Sequence, residues 1–194
     1  MPATAENRLT VVRHGETEWS RNGRHTGRTD VQLTDEGRAV ASKLEHALRG
    51  RSFALVLSSP LSRARDTASL AGYPDAIVDE NLREWDYGDY EGITTAEIRE
   101  KLQSDWFLWR DGVPNGEGIE QVAARADGVI VRARGAGGDA LVFAHGHFLR
   151  VLGARWLGIE PGFGRHLVLD PATLSVLGWE HGTPAIDAWN APAT

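Results

Sequence analysis

Short apolar runs alternate along this chain with longer amphipathic stretches, and that alternation leaves few folds open. The runs are LTVV (9–12), FALVLSS (53–59), the weaker AIVDE (76–80) and DALVFAHG (139–146). Each is too short for a helix and is bounded by polar residues or glycine, so each reads as a buried strand. Between them lie helical patterns. In LTDEGRAVASKLEHALRG, Thr34 is placed to cap, Val40, Leu44 and Leu48 share one face, and Gly50 stops the helix. A second helix follows Pro60 and closes at Gly72, and others are expected over Thr95–Leu102, Gly118–Arg134 and Phe148–Leu157. HLVLD (166–170) with TLSVLGWEHG (173–182) reads as a terminal strand pair. Strands alternating with helices imply a single α/β domain, a three-layer sandwich whose mostly parallel sheet is flanked by helices, with an antiparallel edge.

At 194 residues the chain is expected to be one domain, 1–194, in which residues about 81–118 form a loop-and-helix insertion roofing the sheet. No window approaches the roughly 18 apolar residues of a membrane span. MPATAENR lacks an apolar signal core and there is no cysteine, so a cytoplasmic protein without disulfides or thiolate metal sites is expected. A net charge of −6 argues against a nucleic-acid partner, but leaves room for a locally basic pocket and an anionic small molecule. Only Lys43 and Lys101 among 21 basic residues are lysines; a codon bias explains that, and it carries no weight here. The terminal strands offer an edge for a homodimer.

In open α/β sheets ligands sit outside the carboxyl ends of the strands. Three strands here end in unusual chemistry: the first in Arg13-His14, the second just before Ser62-Arg63, the fourth in His145-Gly146-His147. A lone strand-end histidine is usually a hydrogen-bonded side chain, and a lone Arg63 or Glu84 a solvated charge. RHG and AHG, however, are one device used twice, and packing does not account for that repetition. Two imidazoles, two arginines and Glu84 from the long loop NLREWDYGDYEGITT fit phosphoryl transfer through a phosphohistidine. A neutral imidazole attacks, the cations hold the equatorial oxygens, and a carboxylic acid protonates the leaving alkoxide. A metal-dependent hydrolase using His145 and His147 with His14, Glu84 or His181, and a non-catalytic phosphate sensor, are the weaker readings. The aromatic residues Trp85, Trp106, Phe107 and Trp109 read as core or interface more readily than as contacts to an apolar substrate portion.

VVRHGETEWS, SSPLSRARDTA, LREWDYGDYEG, PNGEG and FAHGHFLR occur in the order and approximate spacing of the histidine phosphatase superfamily. From Leu9 to about Ser175 the chain resembles that family, whose fold is the phosphoglycerate-mutase-like one. RHG alone is a weak signal; dispersed motifs in register are a strong one. The resemblance implies His14 as the phosphorylated nucleophile, Arg13 and Arg63 as the phosphate clamp, His145 completing that pocket, and Glu84 as proton donor. It places Thr26 and Gly27 where relatives touch substrate by hydroxyl and backbone amide, Tyr87 where an aromatic faces substrate, and Gly146 beside the second histidine. Ser20 and His147 stand on the pocket wall where asparagines are common. No cofactor or metal is implied, and the partner is a small phosphorylated substrate. The mutases hold a second phosphate with adjacent basic residues in a longer insertion. Here Arg99, Lys101 and Arg110 are dispersed among acids and tryptophans, which favours a phosphatase like the bacterial acid phosphatases over a cofactor-dependent mutase.

Overall fold

The computed structural model describes residues 6–193; residues 1–5, most of the polar N-terminal stretch, lie outside them. β1 (Leu9–Arg13), β2 (Leu55–Ser58), β3 (Ile77–Val78) and β4 (Ala140–Ala144) are parallel. β5 (Thr173–Glu180) and β6 (Thr183–Pro192) continue the sheet antiparallel, giving the order β3-β2-β4-β1-β5-β6. The two central strands carry apolar residues on both faces, as a sheet covered on both sides requires.

The two-residue period of the strands sorts their side chains into two cores. Leu9, Val11, Leu57 and Val142 face α6 (Ile119–Arg134) and α7 (Gly146–Trp156), packing with Val122, Ala126, Phe148 and Trp156. Val12, Leu141 and Phe143 face α2 (Asp35–Leu48) and α3 (Ser62–Leu70), packing with Ala41, Leu44, Leu48 and Ala68. Each fully buried Leu or Val contributes about 1.5–3 kcal/mol. α2 is capped as its sequence suggests, with the Thr34 hydroxyl accepting from the Gly37 N–H. No helix among the described residues is long and apolar enough to cross a membrane.

Three differences from the sequence expectation bear on the site. HLVLD is not a strand: β5 pairs with β6, because His181 and Gly182 both take positive φ (49° and 80°) and turn the chain straight back. A short helix, α1 (Glu18–Arg21), follows the first strand tip and is opened by a capping box between Thr17 and Ser20. And α7 starts at Gly146 rather than Phe148, so the tip of β4 runs directly into a helix N-terminus. Segment 81–118 holds α4 (Thr95–Leu102) and α5 (Leu108–Asp111). Its tryptophans are structural: Trp85, Trp106 and Trp109 are buried in the core, with the Trp85 and Trp106 indole N–H groups donating to the carbonyls of Glu117 and Gly112.

Candidate active site

β1 and β4 lie side by side, with Arg13 level with Ala144, so His14 and His145 leave the sheet together. Their rings sit 5.1 Å apart at 61°. His14 is nearly buried, and its Nδ1 lies 2.7 Å from the Gly15 carbonyl, which accepts only and therefore holds the proton on Nδ1. The Gly15 N–H donates to the Thr67 hydroxyl at 2.9 Å, and that hydroxyl donates to the Arg63 carbonyl at 2.7 Å. Glycine is needed at position 15 because a Cβ there would meet the Gly37 carbonyl oxygen at 2.6 Å. Burial, followed by the charges of Arg63 and Arg13, holds the His14 imidazole well below its ordinary 6.5, so the ring is neutral.

Arg13 reaches over the same hollow. One guanidinium nitrogen donates to the Leu169 carbonyl, while its buried Nε has no partner. An orphaned buried donor costs about 1–3 kcal/mol, as expected of a group awaiting an anion. Gly146 lets the α7 terminus approach: a Cβ there would sit 3.3 Å from the Arg13 guanidinium.

Arg63 lies behind the wall rather than on it. It is fully buried, donating to the carbonyls of Thr26 (3.0 Å), Gly27 (3.1 Å) and Thr29 (2.9 Å), and through Nε to His145 Nδ1 at 3.2 Å. His145 Nε2 is 2.8 Å from the Ser59 hydroxyl. Because Arg63 donates to Nδ1, the His145 proton is on Nε2 and goes to Ser59; neither ring nitrogen is left for a ligand. Gly27 differs from expectation too, since its N–H is taken by the Glu91 carboxylate at 2.9 Å.

Glu84 closes the opposite side. Its Oε1 accepts from the N–H groups of Trp85 (2.9 Å) and Phe148 (2.8 Å), its Oε2 from that of His147 (3.0 Å). The carboxyl thus caps the α7 N-terminus, where the backbone dipoles favour it. Oε2, with a single bond, is the oxygen with room for a proton.

Arg13, His14, Ser20, Thr26, Glu84, Tyr87, Gly146 and His147 share one cavity of about 260 Å³. Burial and the nearby Glu84 hold the Tyr87 phenol well above its ordinary 10, so it stays a donor, and it meets His147 Nδ1 at 2.6 Å. Burial and the Arg150 charge keep His147 neutral. The same cavity is lined by Arg24, His25, Thr95 and Arg150, none of them foreseen. His25, in RHTG, is pushed down to about 4 by burial. Arg24 and Arg150 stand next to motif residues but carry no pattern of their own. The metal reading finds no support in the donors: among the described residues no three His, Asp or Glu side chains are grouped to hold an ion, and His181 lies exposed in the β5–β6 turn. Arg110, in segment 81–118, is bonded to Asp105 and Asp111.

Comparisons with known proteins bear on the family to which the chain belongs. An acid phosphatase of Mycobacterium tuberculosis is 43% identical over 181 residues, covering 91% of this chain and 88% of the relative. A sedoheptulose 1,7-bisphosphatase of Saccharomyces cerevisiae is 38% identical, covering 78% and 68%. Mutase-named relatives also match, one from Gloeobacter violaceus at 36% over 74% and 73%. The solved structure of a Mycobacterium tuberculosis open reading frame product superimposes with a TM-score of 0.91 at 40% identity, over 97% of this chain and 99% of that one. The family model of the histidine phosphatase superfamily (branch 1) matches residues 9–192, nearly the whole chain, and this chain belongs to that superfamily.

Proposed function

We propose that the protein is a metal-independent phosphomonoesterase, acid phosphatase-like, that hydrolyses small phosphorylated metabolites through a phosphohistidine on His14 with Glu84 as proton donor. The observation that carries this reading is the tautomer of His14. With the proton held on Nδ1 by the Gly15 carbonyl and the ring kept neutral, the Nε2 lone pair is free to attack. It forms the N–P bond as the ester P–O bond breaks, and the leaving alkoxide takes its proton from Glu84 Oε2. The Glu84 carboxylate then removes a proton from water, whose oxygen attacks the phosphohistidine, releasing inorganic phosphate and restoring both groups. Arg13 meets the equatorial oxygens directly. Arg63 adds its charge from behind and holds His145, so His145 acts as a positioning residue.

The test is turnover of p-nitrophenyl phosphate with rapid quenching. An acid-labile phosphoryl label on His14, insensitivity to EDTA and inhibition by vanadate are expected. Full hydrolysis by His14→Ala, or loss of activity on chelation, defeats the proposal. Mutase activity, the second reading, rests on the mutase-named relatives and requires stimulation by 2,3-bisphosphoglycerate in an enolase-coupled assay. A cytoplasmic location and a homodimer belong to the same reading, tested by cell fractionation and sedimentation.

A further inference from the structure

The cavity holds more positive charge than one phosphate ester uses. Arg13, Arg24 and Arg150 line it against a single acid, Glu84, and Arg63 lies just behind. The imidazoles His14, His25 and His147 add no charge, because burial keeps them neutral. Several surface arginines of this protein are matched: Arg8, Arg21, Arg38, Arg83 and Arg155 each meet a carboxylate. Among the described residues, Arg24 and Arg150 meet none. Carbonyls hold them instead. Arg150 donates through Nε to the Gly164 carbonyl and through Nη2 to that of Arg165, both at 3.0 Å, and lies 4.8 Å over the Trp109 ring; Arg24 donates to the Gly92 carbonyl. A carbonyl fixes a guanidinium in place without neutralising it, so both arrive oriented and with charge to spare. The dianion of a phosphate ester is matched by Arg13 and Arg63. Once Glu84 carries the proton it must donate, no acid lining the cavity balances Arg24 and Arg150, and Glu97, which feels the charge of Arg24, lies outside it.

We propose that Arg24 and Arg150 form a second anion subsite, so that the preferred substrates are short metabolites bearing a further anionic group, phosphate or carboxylate, on the alcohol portion. This rests on the phosphomonoesterase reading above and narrows its substrate class. The two arginines come from the loop after α1 and from the second turn of α7, outside the roof segment in which the sequence shows no clamp.

Three measurements of kcat/KM at low ionic strength decide it: fructose 1,6-bisphosphate against fructose 6-phosphate, 3-phosphoglycerate against glycerol 3-phosphate, and p-nitrophenyl phosphate as reference. The doubly anionic member of at least one pair should be favoured about tenfold or more, and the advantage should shrink as salt is added. An advantage in the first pair alone assigns the subsite to phosphate, and one in the second alone to carboxylate. Arg150→Gln and Arg24→Gln should each pull that ratio toward one, lowering turnover of the doubly anionic ester more than that of p-nitrophenyl phosphate. Equal rates within both pairs in the wild-type enzyme, or a ratio retained in both variants, overturn the subsite while leaving the phosphatase intact. Failure to hydrolyse any ester, p-nitrophenyl phosphate included, counts against the phosphatase reading itself.

Discussion

His14 and His145 occupy the tips of adjacent parallel strands, each followed by glycine, and yet they end in opposite chemical states. His14 commits one nitrogen, to the carbonyl of the very next residue, and keeps the other on the cavity side. His145 commits both, one to Arg63 and one to Ser59, and is fully buried. The chain beyond each glycine explains part of the difference. After Gly15 it turns into a loop pressed against Gly37, which brings the Gly15 carbonyl round to the ring; after Gly146 it enters α7 directly. The rest comes from the partner side chain, since Arg63 reaches one ring and not the other. The same local device therefore leaves one ring nitrogen unbonded at one tip and none at its neighbour.

Substitution at the two tips should separate them. His14→Ala is expected to lower p-nitrophenyl phosphate turnover by about 10⁴ or more, with no phosphoenzyme. His145→Ala should cost about 10- to 10³-fold and still accumulate label on His14. Equal losses, or no label in the His145 variant, would break the contrast. Next in size comes the support beneath His14. Thr67→Val strands the buried Gly15 N–H and should lower kcat about tenfold with little change in KM, while Thr67→Ser restores it. An effect on KM instead would mean that Thr67 shapes binding.

Acidification probes both tips through stability. Burial, joined at the two tips and at His147 by nearby positive charge, holds His14, His145 and His147 well below 6.5 in the folded state, and burial holds His25 at about 4. Below pH 6.5 the unfolded chain takes up protons that these rings refuse, so stability falls as pH drops, by up to about 1.4 kcal/mol per pH unit for each ring. The Tm should decline from pH 7 to 5, and His145→Gln should flatten that decline; an unchanged slope would show that His145 titrates normally. The smallest effect is expected at Ser59→Ala, a few-fold in kcat, because Arg63 still holds the ring from its other side.

Much of the scaffold was legible because it depends on local periodicity. The central strands, α2 with its Thr34 cap and the long helix over 119–134 follow from the spacing of apolar residues and capping chemistry. HLVLD shows where such reading stops. Its alternating Leu167 and Leu169 suggest a strand, but its backbone carbonyls are used by side chains, Val168 by Trp189 and Leu169 by Arg13, and among the described residues no strand pairs with it.

The chain's order of residues by itself directed Arg13, His14, Gly146 and His147 to one side of the sheet, because strand ends of a parallel sheet open on one side and those motifs sit at the ends, while the family resemblance added Glu84 from the long loop. Only the tertiary structure decided which nitrogen of each imidazole is free, that Arg63 stands behind the wall, and that Arg24 and Arg150 join the cavity. Those outcomes depend on hydrogen bonds between residues tens of positions apart, such as Arg63 to Thr26 and Arg24 to Gly92, and a bond of that kind leaves no periodic trace along the chain.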